Sequence, residues 1–460
     1  MPDGLTAVRL LSKGGGRIMD RPVWHYRPAK NWINDPNGLC QVDGVYHMFY
    51  QYNPHGDQWG DIHWGHATST DLIHWQEQEI AMAPLKSAGE IHCFSGGCCK
   101  DEAGVPHFFY TSVGRAEDGR DARNGAQQWF AEGADAALTR LAQSPEGALT
   151  ADIHGEMQVL EWRDPCVIRH GGQYLMVLGG LVENRGCVLL YTSPDMKHWT
   201  YCRILARSDK ADGVTWECPN LIEVDGHFVL LYSPCAQVMA KVGDLDDELR
   251  FHELSEEVLE PADWQGYYAP QCFTDEQGRA ILIGWMPECD NCRKGWSGVM
   301  SLPRVMHVQD HRLWLEPMGD AFSLVNGIDE RTVCGEAELD AGTEAAMVSL
   351  AFTPDALPLT LQVLRSPGGE EQTVYTLTKE GLLRCDRSRS SLDERPRKDL
   401  MQRSVPIVEG DNELFAVIDR SAVELMVNGR WLSVRAYPTR EDATGICLLS
   451  SGEVDSAVFW

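Results

Sequence analysis

Long apolar runs and positive charge are both scarce in this sequence. No stretch approaches the roughly 20 apolar residues that a membrane-spanning helix needs, so we expect no membrane contact. The 460 residues carry 40 Lys and Arg against 68 Asp and Glu, which gives a formal net charge of -28. Such an acidic chain repels nucleic acid and anionic membranes and disfavours a polyanionic substrate. A small neutral ligand is compatible with this charge.

The amino-terminal segment lacks the continuous apolar core of a secretory signal. Because it also contains the glycine run 14–16, we predict that residues 1–22 form a flexible leader, and nothing in them supports export. The 15 cysteines lack the regular spacing of a disulfide framework, which indicates reduced thiols in a cytoplasmic protein. Two pairs have neither a second pair nor a histidine partner, so we predict no metal site and no cofactor: Cys98-Cys99 and Cys289-x-x-Cys292.

Helix signals are sparse, with residues 135–141 as the one candidate. A glycine turn followed by a strand-like apolar run instead recurs five times, in copies that begin at Asp43, Asp101, His170, Val224 and Asp275. A spacing of roughly 50 to 70 residues suits a four-stranded sheet, the repeat unit of a β-propeller. The pattern S-x-D-x-x-H-W, at 69–75 and 193–199, is a second repeat. We predict an all-β protein with a five-bladed β-propeller over residues 23–317, and a generic β-sandwich is the alternative.

The pattern changes after Pro303. Residues 318–334 contain glycines without regular periodicity, which is typical of a linker. Residues 335–460 alternate apolar and polar side chains, and Asn428-Gly429 is a strong signal for a two-residue hairpin turn. We therefore predict a carboxy-terminal β-sandwich over 335–460. The charged segment 384–398 is interpreted as a solvated loop between strands.

Three short motifs place a carboxylate beside a proline and a tryptophan. They are WINDPNG at 32–38, WRDP at 162–165 and WECPN at 216–220. Taken singly, Asp-Pro is a common turn dipeptide with no further role. The innermost strands of a propeller converge on its axis, however, so acids from different blades can share one pocket. We predict that Asp35, Asp164 and Glu217 meet there.

These motifs resemble glycoside hydrolase family 32, which comprises invertases, sucrose-6-phosphate hydrolases, levanases and inulinases. The resemblance covers nearly the whole chain, through WHYRPAKNWINDPNG, FYQYNP, WGDIHWGHATSTDLIHW, CFSGG, WRDP, WECPN, GYYAP, IGW, SLPR and IDRSAVEL. It implies a five-bladed propeller followed by a β-sandwich. By similarity, Asp35 is the nucleophile, Asp164 the transition-state stabiliser and Glu217 the general acid/base. Eight further positions match residues that bind the fructosyl unit: Asn34, Gln51, Trp59, Phe94, Ser95, Arg163, Tyr268 and Trp285.

The implied reaction is hydrolysis of a small neutral β-fructoside with retention of configuration, through a covalent fructosyl-enzyme intermediate. Retention requires an ionised carboxylate and a protonated acid about 5 Å apart. We expect neighbouring amides and hydroxyls to keep Asp35 ionised. We expect an apolar wall that includes Trp216, together with nearby negative charge, to raise the pKa of Glu217. Asp164 is expected to hydrogen-bond the fructose hydroxyls, and Arg163 to balance the accumulated negative charge.

Several alternatives stay open. Sucrose 6-phosphate as substrate needs cations at the pocket mouth, for which the candidates are Arg115, Arg123, Arg293 and Lys294. Exo-hydrolysis of inulin or levan, or transfer of fructose, needs no different catalytic residues, and a catalytically silent sugar-binding protein is the alternative of another class. Asn220 stands where many relatives carry Asp, which removes a negative charge near Glu217 and affects turnover or substrate choice. Linkage preference, exo or endo action and oligomeric state also stay open.

Overall fold

β-Strands make up nearly all of the regular structure. The computed structural model describes residues 21–116, 119, 121–287, 295–339 and 343–460. Five small sheets are followed by one larger sheet, which confirms the prediction of an all-β protein. The other elements are single 3-10 turns at Lys86–Ala88, Arg123–Gly125, Ala151–His154, Gly319–Leu324 and Pro354–Ala356. Within the described ranges, no helix is long and apolar enough to cross a membrane.

The five small sheets are the blades of a propeller, in chain order. The first three blades are β1 (Asn31–Val42), β2 (Val45–Asn53), β3 (His63–Ser69), β4 (Gln76–Glu77); β5 (Glu90–Lys100), β6 (Pro106–Gly114), β7 (Gln127–Gly133), β8 (Leu141–Leu149); and β9 (Leu160–His170), β10 (Gln173–Val182), β11 (Arg185–Ser193), β12 (Thr200–Arg207). The last two are β13 (Glu217–Val224), β14 (His227–Ser233), β15 (Val238–Leu245), β16 (Phe251–Glu260); and β17 (Tyr268–Thr274), β18 (Ala280–Met286), β20 (Val299–Met300), β21 (Arg304–Gln309), β22 (Arg312–Pro317). β19 (Trp296–Ser297) pairs in parallel with β1 and so joins the last blade to the first.

The sequence repeats correspond to blades. Each of the five glycine turns joins the first strand of a blade to the second. The pattern S-x-D-x-x-H-W follows the third strand of blades 1 and 3, where the carboxylate of Asp71 or Asp195 lies 2.7 Å from Nδ1 of His74 or His198. The prediction of a five-bladed propeller is confirmed. Residues 135–141 form turns and not a helix, because the Asp135 carboxylate accepts backbone N–H groups from within that segment.

The first strand of each blade lines the propeller axis, and each of these strands carries a β-bulge. Neighbouring first strands contact one another around the ring, including β17 with β1. Their pairing with the second strand shifts register at one or two places in each, and these include Asn34/Pro36, Cys93/Gly96, Arg163/Cys166, Glu217/Asn220 and Tyr268/Gln271. A bulge inserts an extra residue and redirects the adjacent side chains. The five bulges therefore turn side chains from five blades toward one end of the axis.

The second domain is a β-sandwich whose two layers share one long strand. Its strands are β23 (Ile328–Glu338), β24 (Ala345–Phe352), β25 (Leu359–Arg365), β26 (Thr373–Leu377), β27 (Leu382–Asp386), β28 (Leu400–Ser404), β29 (Asn412–Asp419), β30 (Ala422–Val427), β31 (Arg430–Arg435) and β32 (Gly445–Phe459). The first part of β32 pairs with β25, and its last part pairs with β24. The predicted Asn428-Gly429 turn joins β30 to β31, with φ of 44° and 71° at the two residues.

β23 begins inside the range that was predicted to be a linker. The glycine pattern there indicated irregular backbone, but Gly335 has φ of 82° and lies at a register shift of β23 against β32. The glycine is part of a bulge and does not end the strand. Most of the segment 384–398 is a loop between β27 and β28, as predicted, but it is only partly solvated, because Arg387 is buried against Asp399 and Arg397 pairs with Asp263 of the propeller.

Buried charges join the two domains. Arg304 on β21 donates to Glu260 at 2.8 Å and to Glu424 of the sandwich at 2.5 Å, and all three residues are 0% exposed. The ring nitrogens of His25 each lie 2.9 Å from a carboxylate of the sandwich, one on Asp419 and one on Glu424. Removing one member of such a buried set leaves another charge unpaired, which is strongly destabilising. The network fixes the second domain against the propeller.

Candidate active site

Asp35 lies on the bulge of β1, with φ of 26°, and is buried at 9% exposure. Its Oδ2 accepts hydrogen bonds from Ser95 Oγ at 2.6 Å and from Gln51 Nε2 at 3.2 Å. Burial raises the pKa of Asp35, and hydrogen bonds from Ser95 and Asn34 oppose that rise because they stabilise the anion. Three predicted sugar-binding residues, Asn34, Gln51 and Ser95, thus surround the predicted nucleophile.

Asp164 occupies the equivalent bulge of β9, with φ of 65°. Its Oδ2 accepts the backbone N–H of Cys218 at 2.9 Å, and its own N–H donates to Thr111 Oγ1 at 2.8 Å. The Cys218 thiol lies 3.6 Å from Oδ2 of Asp164 and 3.6 Å from Oδ2 of Asp35. Two of the three predicted acids, remote in sequence, therefore contact the same sulfur atom.

Glu217 begins β13, and both of its carboxylate oxygens have partners. Oε1 accepts from Arg163 Nη2 at 2.8 Å, and Oε2 accepts from the Tyr268 hydroxyl at 2.6 Å. The Cys235 thiol lies 3.3 Å from Oε2. Arg163 also pairs with Glu161 at 2.6 Å, so this one guanidinium neutralises two carboxylates.

The directions of the pKa shifts differ from those expected for Asp35 and Glu217. Burial alone would raise the pKa of Glu217, but the charge of Arg163 and the hydrogen bond from Tyr268 hold it below its usual value. Burial raises the pKa of Asp164 to about 7, with repulsion from Glu217 adding to the rise and Arg163 opposing it. Trp216, which was expected beside the Glu217 carboxylate, stacks instead on Tyr232 with a centroid distance of 3.9 Å. Arg163 was predicted to balance the accumulated negative charge, and its guanidinium lies 2.8 Å from Glu217, 2.6 Å from Glu161 and 3.8 Å from Asp164.

Blades 3 and 4 approach very closely beside Glu217. A Cβ added at Gly179 on β10 would lie 1.9 Å from the backbone oxygen of Trp216. Real Cβ atoms do not approach a carbonyl oxygen so closely, so only glycine fits there. This contact brings the strand that carries Arg163 against the strand that carries Glu217.

The predicted aromatic residues lie on two sides of the acids. The rings of Trp59 and Phe94 meet edge to face at a centroid distance of 5.9 Å. Trp285 packs against Trp32 at 5.6 Å and pairs across the sheet with Tyr268. Trp59 is 38% exposed, whereas the others are buried. An exposed ring face next to buried polar groups suits the apolar face of a sugar.

An arginine and a cavity lie beside the Trp59 and Phe94 rings. The guanidinium carbon of Arg123 is 5.6 Å from the Trp59 centroid and 5.7 Å from that of Phe94. Arg123 lines a cavity of about 790 Å³, which also borders Glu161, the partner of Arg163. Arg115 donates to Gly119 O at 2.6 Å. Of the cations predicted for a phosphorylated substrate, Arg123 is therefore beside the site, while residues 293 and 294 lie outside the described part of the chain.

Asn220 is buried between the first strands of two neighbouring blades. It is 2% exposed, its Nδ2 donates to the backbone oxygens of Cys218 and Pro270 at 3.0 Å, and its Oδ1 accepts from Cys272 N. The amide thus ties the first strand of blade 4 to that of blade 5. An Asp in this place cannot donate these two bonds, so Asn220 acts on the packing of the blades. None of these hydrogen bonds joins Asn220 to Glu217.

Two groups of side chains bring potential metal ligands within 4.8 Å of one another in the described residues: His55, Asp61, His63 and Glu336, Glu338, Cys447. Neither group includes an acid of the predicted trio or the pair Cys98-Cys99. The other predicted pair, at 289 and 292, falls outside the described residues. The chemistry of the trio needs no metal, because attack and proton transfer both use carboxylates.

Sequence reasoning missed the two thiols. Cys218 lies inside the motif WECPN, but no role was predicted for it. The motif was therefore a signal for this thiol, although the position of Cys218 between two acids was not predicted. Cys235 is in a loop without any motif, and only the fold brings it to Glu217. Thr111 and Glu161, which orient Asp164 and Arg163, gave no signal either.

Buried carboxylates from different blades, assembled with an arginine at one end of a β-propeller axis, form a site of the glycoside hydrolase class. The model for the glycosyl hydrolases family 32 N-terminal domain matches residues 25–317, and the model for the family 32 C terminal matches residues 323–460. The chain belongs to glycosyl hydrolase family 32. The observed propeller and sandwich are therefore those that the sequence motifs predicted.

The similar proteins cover between two thirds and nearly all of the chain. The sucrose-6-phosphate hydrolase of Escherichia coli is 30% identical over 446 residues, which is 92% of this chain and 90% of that protein. The raffinose invertase of Escherichia coli is 32% identical over 327 residues, 66% of each. Among solved structures, sucrose-6-phosphate hydrolase from Lactobacillus gasseri superposes with a TM-score of 0.84 at 22% identity, covering 96% of this chain and 93% of that one. Fructan 1-exohydrolase IIa from Cichorium intybus gives 0.82 at 22% identity, covering 97% and 98%.

Proposed function

We propose that the protein is a retaining β-fructofuranosidase that releases terminal fructose from small β-fructosides. Asp35 is the nucleophile, Glu217 the general acid/base, and Asp164 the residue that binds the fructose hydroxyls. The observation that carries the proposal is the contact of Asp35 and Asp164 with one thiol, Cys218, beside Glu217. Carboxylates so close together resist simultaneous ionisation, and this repulsion keeps a proton available within the cluster.

The chemistry follows from the hydrogen bonds. Donors from Ser95, Gln51 and Asn34 stabilise Asp35 as the anion that attacks the anomeric carbon. Glu217 protonates the leaving oxygen, and the fructosyl group is held on Asp35 as an ester. Glu217 then takes a proton from the water that releases fructose. Formation of the ester removes the negative charge of Asp35, and hydrogen bonds to Asp164 strengthen as positive charge develops on the ring.

The test is the release of fructose by variants of each carboxylate. Glu217→Gln keeps the shape of the side chain but cannot donate a proton as an acid, so we expect kcat to fall by at least about 10²-fold. Glu223→Gln is the matched control, because Glu223 is exposed on the same strand. NMR of the first-formed sugar gives the anomer. Release of the opposite anomer, or full activity of the Glu217 variant, contradicts the mechanism. If the wild-type protein releases no fructose from any β-fructoside, the result favours the alternative of a catalytically silent sugar-binding protein.

A second candidate substrate is sucrose 6-phosphate, and Arg123 is the observation that favours it. Its guanidinium sits over Trp59 and Phe94 beside the cavity, where a phosphate on the leaving group is able to pair with it. The name of the Escherichia coli relative supports this reading. Against it stands the net charge of -28.

Comparing sucrose with its 6-phosphate separates the two candidates. If the phosphate is recognised, Arg123→Gln lowers kcat/KM on sucrose 6-phosphate by about tenfold or more and leaves sucrose nearly unchanged. Equal effects on both substrates assign Arg123 to the sugar and not to a phosphate. Activity on kestose, inulin and levan in the same panel shows which chain length and linkage the enzyme prefers. Product analysis at high sucrose concentration detects transfer of fructose.

We also propose that the protein acts in the cytoplasm on small neutral fructosides that reach it by import. None of the 13 cysteines in the described ranges forms a disulfide, which suits a reducing compartment. Fractionation of the source cells with an antibody against the chain tests this.

A further inference from the structure

Cys235 lies in the short loop between β14 and β15, at the outer side of Glu217. It is exposed and has φ of 51°, a left-handed conformation that is uncommon for a residue other than glycine. Backbone in this region persists only where surrounding contacts hold it, and it is concentrated at functional sites. The loop therefore presents Cys235 in one particular orientation.

Two groups of Cys235 act on the same carboxylate. Its Sγ is 3.3 Å from Glu217 Oε2. Its backbone N–H donates at 2.8 Å to the hydroxyl of Tyr268, and that hydroxyl is 2.6 Å from the same Oε2. The Tyr268 oxygen also lies 2.9 Å from the backbone oxygen of Ser233. A hydroxyl has one proton, so it donates either to Ser233 or to Glu217.

The thiol remains a donor at neutral pH. Desolvation, together with the negative charge of Glu217, raises the pKa of Cys235 to about 11. The protonated thiol supplies a weak S–H donor, whereas a thiolate would repel the carboxylate. Cys235 thus provides Oε2 with a donor that is present whichever way the Tyr268 proton points.

We propose that Cys235 is a positioning residue for Glu217, holding the carboxylate directly through its thiol and indirectly through Tyr268. This inference rests on the proposed function, in which Glu217 is the general acid/base. The thiol stabilises the ionised form of Glu217, and Tyr268 keeps its orientation through the loop backbone. Cys235 accordingly adds to the effects of Arg163 and Tyr268 in lowering the pH at which Glu217 loses its proton.

The experiment compares three variants of the full chain. Cys235→Ala removes the donor, Cys235→Ser replaces it with a hydroxyl, and Cys202→Ala changes another exposed cysteine far along the chain, on β12. The readout is kcat/KM against pH on the best fructoside found, with thermal unfolding as a check of folding. Loss of a donor to an anion raises the pKa of that anion.

We expect Cys235→Ala to move the alkaline limb upward by about half a unit to one unit. Cys235→Ser should return the limb toward the wild-type position, and Cys202→Ala should leave it in place. In a Glu217→Gln background, Cys235→Ala should have no further effect on the pH profile.

Three results overturn the inference. An unmoved alkaline limb in Cys235→Ala, with wild-type activity present, removes the thiol from the control of Glu217. If the alkaline limbs of Cys235→Ala and Cys235→Ser lie at the same pH, the shift results from the change in side-chain volume and not from loss of the donor. A uniform loss of activity at every pH assigns Cys235 to the structure of the loop only. Absence of fructose release from the wild type is a different outcome, because it contradicts the proposed function itself.

Discussion

Replacing His25 by Gln tests how the two domains are held together. His25 is 3% exposed, and its ring contacts Asp419 and Glu424. Burial opposes its charge, but the hydrogen bonds that its ring donates to the two carboxylates prevail and raise its pKa from 6.5 to about 9. Since one pKa unit corresponds to about 1.4 kcal/mol, the charged ring contributes about 3 kcal/mol to the free energy of unfolding.

The pH range follows from the direction of the shift. A pKa that is higher in the folded state gives stability that is complete below pH 6.5 and is lost as the pH rises through about 9. We therefore expect the wild-type free energy of unfolding to fall by about 3 kcal/mol over that range. His25→Gln should be less stable at pH 6.5 and should lose this slope. Urea unfolding at several pH values, followed by tryptophan fluorescence, measures both.

His198→Gln is the matched control. His198 also lies 2.7 Å from a carboxylate, that of Asp195, but its side chain is 84% exposed. Exposed pairs contribute only about 0 to 1 kcal/mol, so this variant should keep the wild-type slope between pH 6.5 and 9. If His25→Gln retains the same slope as the wild type, the proton released in this range belongs to another group and the reasoning is refuted.

Three further outcomes are expected. Asp35→Asn should fold normally and lower turnover by several orders of magnitude, because the covalent nucleophile is lost; retention of about a tenth of the activity contradicts that role. Tyr268→Phe should move the alkaline limb of kcat/KM upward by about one to two units, through loss of a hydrogen bond to a charged group, whereas Tyr267→Phe on the neighbouring residue should not. Gly179→Ala should destabilise the fold by about 1–3 kcal/mol or more in urea unfolding, while Gly319→Ala, which meets nothing within 4 Å, should be neutral.

The repeat pattern in the sequence predicted most of the fold. Glycine turns and apolar runs report on hairpins, and a hairpin is a local structure, so the five blades were visible in the sequence. The hairpin turn at Asn428-Gly429 could be predicted for the same reason, because a turn is also a local structure. The bulges on the first strands were not visible, because a bulge is defined by the partner strand. The bulge at Gly335 could not be predicted either, because it depends on the pairing of β23 with β32.

The members of the site could be predicted, but its electrostatics could not. Motifs identified Asp35, Asp164 and Glu217 because each precedes a proline directly or by one residue. Their acidities depend on where one guanidinium points, and the contact of Arg163 with Glu217 spans blades 3 and 4. Long-range contacts of this kind have no local signal. The same holds for the pairing of Arg304 in SLPR with Glu424 in IDRSAVEL, since neither motif gives a signal that the two residues meet.

The parallel pairing of β19 with β1 has a consequence for synthesis of the chain. β1 is made first, but its neighbour at Trp296 and Ser297 is made after nearly all of the propeller. At roughly 5–20 residues per second, translation leaves that edge of β1 unpaired for about 13 to 53 s. An unpaired edge is a template for association with other chains. The strand that carries Asp35 is thus synthesised long before its parallel neighbour, so overproduction is expected to depend on chaperones during this interval.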